Sequence, residues 1–215
     1  MDWTNLKFCK TIFTAAHDGL KAAHRTARCL KTMNGDTMKK GVCDRILIRM
    51  GDITQVEADA IVNAANPTLL GGEGVDGMIH WAAGEALLEE CKGIGPCPTG
   101  EARITRGYNL PCRHVIHTVG PVYKLDGTNA PALLASCYRS SLRVATEHGL
   151  ATVAFPAISC GSYGYPAAEA CRIAIDTVCK FLEGDETVRK VLFVLYRFEQ
   201  YENYIDYFAK KCNRQ

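Results

Sequence analysis

From Arg45 onward the chain alternates short, almost continuously apolar runs with longer stretches whose apolar residues recur every three or four positions. The runs cover residues 46–50, 60–64, 115–119, 152–155 and 191–196, with a weaker one at 102–105. Between them lie helical stripes: Ile79, Ala82, Ala83, Ala86 and Leu87; Leu134, Cys137, Tyr138, Leu142 and Ala145; Cys171, Ile175, Val178, Cys179 and Leu182; and, last, Tyr201, Tyr204, Ile205 and Phe208. A strand wetted on one face alternates polar and apolar residues, whereas one covered on both faces does not need to. Continuous runs separated by helices therefore predict an α/β class protein, an α/β/α sandwich. No internal repeat or low-complexity tract interrupts the pattern.

Length and composition agree with one soluble domain. At 215 residues, 47% hydrophobic and 22% charged, the chain is long enough for a sizeable core. No apolar run approaches a membrane span, and no charged-then-apolar signal opens the chain, so we expect no membrane partner. Eleven cysteines are scattered without a C-x-x-C pair, which removes the usual zinc and redox spacings. They read as small buried hydrophobes in a reduced compartment.

Charge divides the chain. Residues 1–44 carry eight Lys/Arg against four Asp, a local +4, which leaves about −2 on residues 45–215 of a whole-chain +2. A core without basic excess argues against nucleic acid as a partner, since phosphate neutralisation supplies most of that affinity. We divide the chain into 1–44, a basic arm or a packed helix over residues 14–33, and 45–215, the folded domain. Cytoplasmic or nuclear residence is expected. A mitochondrial address is the other reading of the basic N-terminus, against which Asp2 and Asp18 count.

Three glycine-containing segments fall at strand ends, where open α/β sheets bind ligands. They are "GDIT" from Gly51, "NAANPTLLGGEGVDGMIH" from Asn63, and "ISCGSYGYP" from Ile158. No lysine or arginine lies between residues 51 and 80 or between 151 and 171. Loops rich in backbone N–H groups and empty of cations suit a pyrophosphate held by amides and helix dipoles.

The stretches "GDITQVEADAIVNAANPTLLGGEGVDGMIHWAAG", "CPTGEARITRGYNLPCRHVIHTVGP" and "AFPAISCGSYGYP" resemble the macrodomain family, and within it the MacroD-type hydrolase class. The likeness runs over about residues 45–208. It implies a three-layer fold around a mixed, mostly parallel six-stranded sheet with ADP-ribose in a cleft. It also implies a metal-independent hydrolase that frees ADP-ribose from acidic side chains and deacetylates O-acetyl-ADP-ribose. No cofactor is implied. ADP-ribose, O-acetyl-ADP-ribose and ADP-ribosylated proteins are the implied partners, and the chain is expected to act as a monomer.

Carried over by position, the resemblance assigns catalysis to Asp76 and Asn66. Asn66 bonds the distal ribose, while Asp76, with a substrate phosphate oxygen, orients and deprotonates water. Ala64, Ala65, Gly71, Gly72, Glu73, Gly74 and Val75 form the rest of that loop. Asp52 accepts from the adenine amino group, the Ile53 amide reads the ring edge beside Gly51, and Tyr196 packs on the ring. Ile158, Ser159, Cys160, Gly161, Ser162 and Gly164 wrap the phosphates, and Tyr163 covers the distal ribose. Each has a plainer reading: Asp52 and Asn66 as turn formers, Asp76 as a dipole-stabilising acid, Tyr196 as a sheet-edge aromatic. His117, on an apolar strand, reads as a satisfied core histidine.

The chain also departs from the family. Gly71-Gly72-Glu73-Gly74 replaces four consecutive glycines, and if the third needs φ > 0 the glutamate costs roughly 1 kcal/mol. Cys160 and Ser162 replace a threonine and an aliphatic residue, and Glu101 stands where histidine is common. The rival to an enzyme is a non-catalytic ADP-ribose reader module.

Overall fold

A computed structural model describes residues 41–212. The helix expected over residues 14–33, and most of the basic arm, lie outside them.

Six strands form one sheet in the order β1-β6-β5-β2-β4-β3. They are β1 (Ile46–Met50), β2 (Ala60–Ala65), β3 (Ala102–Arg106), β4 (His114–Val119), β5 (Thr152–Phe155) and β6 (Lys190–Leu195). Every neighbouring pair is parallel except β3 with β4. The helices are α1 (Gly74–Ala83), α2 (Glu85–Ile94), the single turn α3 (Tyr123–Asp126), α4 (Ala130–Glu147), α5 (Ala167–Leu182) and α6 (Phe198–Cys212). The expected sandwich is present, with each of the six apolar runs a strand to within a residue at either end.

Alternation along the strands sorts the core into two layers. Ala60 and Val62 of β2, Ile116 of β4 and Phe155 of β5 face α4, α5 and α6. Ile61, Ala65, Val115, Val119 and Ala154 point to the other side, beneath α1 and α2. β2 is buried almost throughout, which is why its sequence AIVNAA shows no polar alternation.

The stripe expected as one helix over Ile79 to Leu87 is two. Gly84 sits at φ 85, which L side chains disfavour, so the chain turns between α1 and α2 and the apolar stripe continues on the second helix.

The cysteine expectation needs one correction. Among the described residues, seven free cysteines are buried as small hydrophobes, but Cys43 and Cys212 form a disulfide. Their separation of 169 residues shows no motif. The fold brings their Cα atoms to 6.2 Å by packing α6 on β1, so that the end of the helix meets the turn that precedes the strand. Val42 packs on the core and Arg45 donates to the carbonyls of Leu182, Asp185 and Val188, so the folded unit begins ahead of residue 45.

Candidate functional site

The parallel strands put their carboxyl ends on one edge of the sheet. From β2 the chain crosses to β3 at one edge of the sheet and returns through β4, whereas from β5 it proceeds the other way, to β6. Loops leaving β2 and β5 diverge, and a crevice opens between them. A cleft of about 250 Å³ occupies it.

One wall is the loop from Ala64 to the first turn of α1. Asn66 builds its turn with its own side chain: Oδ1 accepts from Thr68 N at 3.0 Å and Thr68 Oγ1 at 2.6 Å, while Nδ2 donates to Gly71 O at 2.7 Å. Its oxygen is therefore spent locally, and what remains for a ligand is the second N–H of Nδ2. A β-carbon placed on Gly72 would lie 3.2 Å from that Nδ2 and 3.0 Å from Asp76 Oδ2, so the two side chains meet over Gly72. The loop lies flat on α1 because Gly77 has no β-carbon, which would stand 2.3 Å from Gly72 O. Glu73 adopts φ −97 and ψ 171, an extended conformation open to any residue. The conditional strain expected of a glutamate there does not arise.

Asp76 occupies the first turn of α1, only 3% exposed. Its Oδ1 accepts from Asn63 Nδ2 at 2.7 Å and faces His80 Nε2 at 3.5 Å, while buried Oδ2 has no partner among the described residues. Burial raises the carboxyl pKa; the Asn63 hydrogen bond and the His80 ring pull it back. One oxygen is anchored, the other is left on the cleft side, and the acid is a stronger base than an exposed aspartate.

His117 lies behind this pair, fully buried. Its Nδ1 is 3.1 Å from Asn63 Nδ2 and its Nε2 2.9 Å from Thr105 Oγ1, so it is the satisfied core histidine expected. Burial, with help from the His80 charge, depresses its pKa to about 3, and the ring is neutral.

The opposite wall is the loop after β5. Ser159, at φ 64 and 6% exposed, carries a hydroxyl without a partner among the described residues. Such a backbone in a non-glycine residue costs roughly 1 kcal/mol or more and marks functional segments. Gly161, Ser162 and Tyr163 continue the wall, and burial, with Asp76's charge second, raises the Tyr163 phenol pKa. Among the described residues, no lysine or arginine lines the cleft.

The cleft thus brings together Ala64, Ala65, Asn66, Gly72, Glu73, Gly74, Val75 and Asp76 with Ser159, Gly161, Ser162 and Tyr163. Gly51, Asp52, Ile53, Gly71, Ile158, Cys160, Gly164 and Tyr196 do not line it. Ile158 and Cys160 are buried behind the loop they support, and burial pushes the Cys160 thiol up to about 12, an inert form. Asp52 caps a 3-10 turn, its Oδ1 accepting from Thr54 N and Oγ1, which leaves Oδ2 outward. Tyr196 follows the end of β6, 83% exposed, and Gly51 donates to the neighbouring Leu195 carbonyl. These residues form an open shelf rather than a wall.

Sequence reasoning missed Gly120 and Ala157, which line the cleft, and the partners Asn63, His80 and Thr105. A signal for Asn63 existed: an amide in an otherwise apolar, doubly covered strand must find a hydrogen bond. Among the described residues, His80, Cys91 and His117 form the group whose metal-ligating atoms lie within 4.8 Å of one another. A bound zinc would want such atoms about 3.3–3.8 Å apart. Cys91 Sγ and His117 Nε2, 3.8 Å apart, reach that spacing, but the same Nε2 already serves Thr105 Oγ1 at 2.9 Å.

Known proteins resemble this chain in sequence and in fold. The model of the Macro domain family matches residues 62–174. A Macro domain-containing protein of Methanosarcina mazei is 56% identical over 153 residues, 71% of this chain and 82% of that protein. The ADP-ribose glycohydrolase MACROD2 of Xenopus laevis is 51% identical over 161 residues, which are 74% of this chain but 38% of that protein's length. The Trypanosoma brucei macrodomain in complex with ADP-ribose superposes with a TM-score of 0.72 at 44% identity, covering 75% of this chain and 68% of that one.

Proposed function

This chain belongs to the macrodomain family, in its MacroD-type class, and on that footing we propose that it binds ADP-ribose and hydrolyses ADP-ribosyl esters, those on protein Asp/Glu side chains and O-acetyl-ADP-ribose. The observation that carries the proposal is the split role of the Asp76 oxygens: Oδ1 held by Asn63, Oδ2 without a partner among the described residues and on the cleft side beside Asn66. Backbone amides at the start of α1 and in the Ser159–Tyr163 loop cradle the pyrophosphate, so no cation is needed. The distal ribose then falls under Tyr163, within reach of the second Asn66 N–H. A water placed by Asp76 Oδ2 gives up its proton to the carboxylate and attacks the ester, leaving free ADP-ribose and a carboxylate product.

Adenine and phosphate contacts act in ground and transition states alike, whereas Asp76 acts on the water in the transition state. Asp76→Ala should therefore cut ester hydrolysis by about 10²-fold or more and leave ADP-ribose affinity, by calorimetry, nearly unchanged. Turnover of an aspartate- or glutamate-ADP-ribosylated protein by wild type and variant side by side checks this. Equal rates, or binding without turnover by either, would leave a reader module in place of an enzyme.

A further inference from the structure

We propose that Thr105 and His117, neither of which lines the cleft, are positioning residues that act through Asn63 to hold the Asp76 carboxylate. The proposal rests on the hydrolase reading for its kinetic consequence, not for its structural one. Three strands supply the chain of contacts. Asn63 on β2 lies directly across from His117 on β4 in the parallel register, and Thr105 stands on the antiparallel neighbour β3. All three side chains are on the face covered by α1 and α2, and each is at most 2% exposed.

The direction of every hydrogen bond is forced from one end. A carboxylate oxygen takes only donors, so the Asn63 group 2.7 Å from Asp76 Oδ1 is the amide nitrogen. The same nitrogen points its second N–H at His117 Nδ1, 3.1 Å away, which must then be bare. A neutral imidazole bare at Nδ1 carries its proton on Nε2, and that N–H donates to Thr105 Oγ1 at 2.9 Å. The threonine hydroxyl turns its own proton toward Val115 O at 3.4 Å. Burial keeps the ring neutral across the physiological range, so the arrangement does not switch there.

Core packing alone would not select this threonine. Valine fills the same volume on the same strand without the cost of burying a hydroxyl. What the hydroxyl supplies is an acceptor that fixes the imidazole tautomer. With the proton on Nδ1 instead, two N–H groups would face each other and Asn63 would turn away from Asp76. The remaining partner of Nε2 is Cys91 Sγ at 3.8 Å. The decisive variant is therefore Thr105→Val combined with Cys91→Ala, with Thr105→Ser as the conservative control.

The titratable groups around Asp76 are His80 on its own helix, Cys91 on α2 and Tyr163 in the loop after β5, with His117 on β4 standing behind Asn63. Cys91 is a neutral thiol, its pKa pushed up to about 11, so removing it changes no charge near neutrality. Differences between variants thus report the Asn63 bond.

The experiment uses the full chain without ligand. Nitrogen NMR shifts of His117 in the wild type should show the proton on Nε2, and this needs no variant. In Thr105→Val/Cys91→Ala the Nδ1-protonated form should appear and the Asp76 carboxyl, followed by carbon NMR, should titrate at higher pH. Turnover should fall about tenfold, the rate equivalent of one hydrogen bond, with KM within twofold and Thr105→Ser close to wild type. A wild-type proton on Nδ1, or an Asp76 titration unmoved in the double variant, overturns the proposal. The expected NMR changes in a wild type that hydrolyses no ADP-ribosyl ester uphold the positioning chain and sink the hydrolase reading instead.

Discussion

Asp76 carries a carboxylate into a poorly hydrated site, and burial outweighs the Asn63 bond and the His80 ring in setting its pKa above the ordinary value. The folded protein therefore binds this proton more readily than the unfolded chain does, and the associated stability is present at low pH and lost as pH rises through the folded pKa. Asn at the same position keeps an oxygen for Asn63 to donate to and removes the buried charge. Asp76→Asn should accordingly melt higher than wild type at neutral pH while losing activity, and the gap in Tm should close as pH falls toward 3, below the unfolded pKa of about 3.9. A gap that widens on acidification would contradict the assignment. Glu73 is a residue-scale question of charge rather than strain, since its backbone is extended. Glu73→Gly should raise ADP-ribose affinity by less than about fivefold at low salt, and the gain should shrink in calorimetry at high salt. It should also cost about 0.5–1 kcal/mol of stability through the freer unfolded chain, read by urea denaturation.

At the scale of elements, the site depends on how closely one loop approaches one helix. The N-terminus of α1 faces the cleft, and the Gly71–Glu73 segment crosses that first turn with Gly72 O against the α-carbon of Gly77. Gly77→Ala puts a methyl group where the Gly72 carbonyl now sits, and backbone cannot rotate away as a side chain would. The loop must lift, taking Gly72 from between Asn66 and Asp76. We expect ADP-ribose affinity to fall at least about tenfold, with a stability loss of about 1–3 kcal/mol, the usual range for overpacking. Retained affinity with retained stability in calorimetry and denaturation would show the contact to be slack. The same reasoning explains the split between α1 and α2: Gly84 turns the chain, yet the apolar stripe passes from Ile79 and Ala83 to Leu87 and Cys91 without leaving the core.

At the scale of the molecule, the folded unit is closed around β1. Val42 is packed, Arg45 holds carbonyls at and just beyond the end of α5, and Cys43 is joined to Cys212 at the end of α6. These contacts lie toward the amino ends of the strands, and the cleft lies beyond their carboxyl ends. Removal of residues 1–40 should therefore leave the far-UV spectrum of the core unchanged and ADP-ribose affinity within a few-fold. A large loss of binding in calorimetry would assign the N-terminal segment a part in the site.

The alternation of apolar runs and helical stripes was enough to place all six strands, because strands buried on both faces leave no room for polar alternation, whatever their neighbours. The glycine loops were legible for a related reason: backbone approach and amide donation need small residues in sequence, and Asn66, Gly72, Asp76 and Ser159 stand together in the cleft. The sequence could not show how hydrogen-bonding capacity is spent. Asn66 uses its oxygen on its own turn, and Asp76 gives one oxygen to Asn63, thirteen residues away and on another element. Thr105, His117 and Asn63 looked like unrelated polar residues in three apolar strands until strand register set them on one face. Register, and the bond between Cys43 and Cys212, follow from which elements neighbour each other in space. That is decided by burying both sheet faces at once, a condition of the whole chain that no local stretch contains.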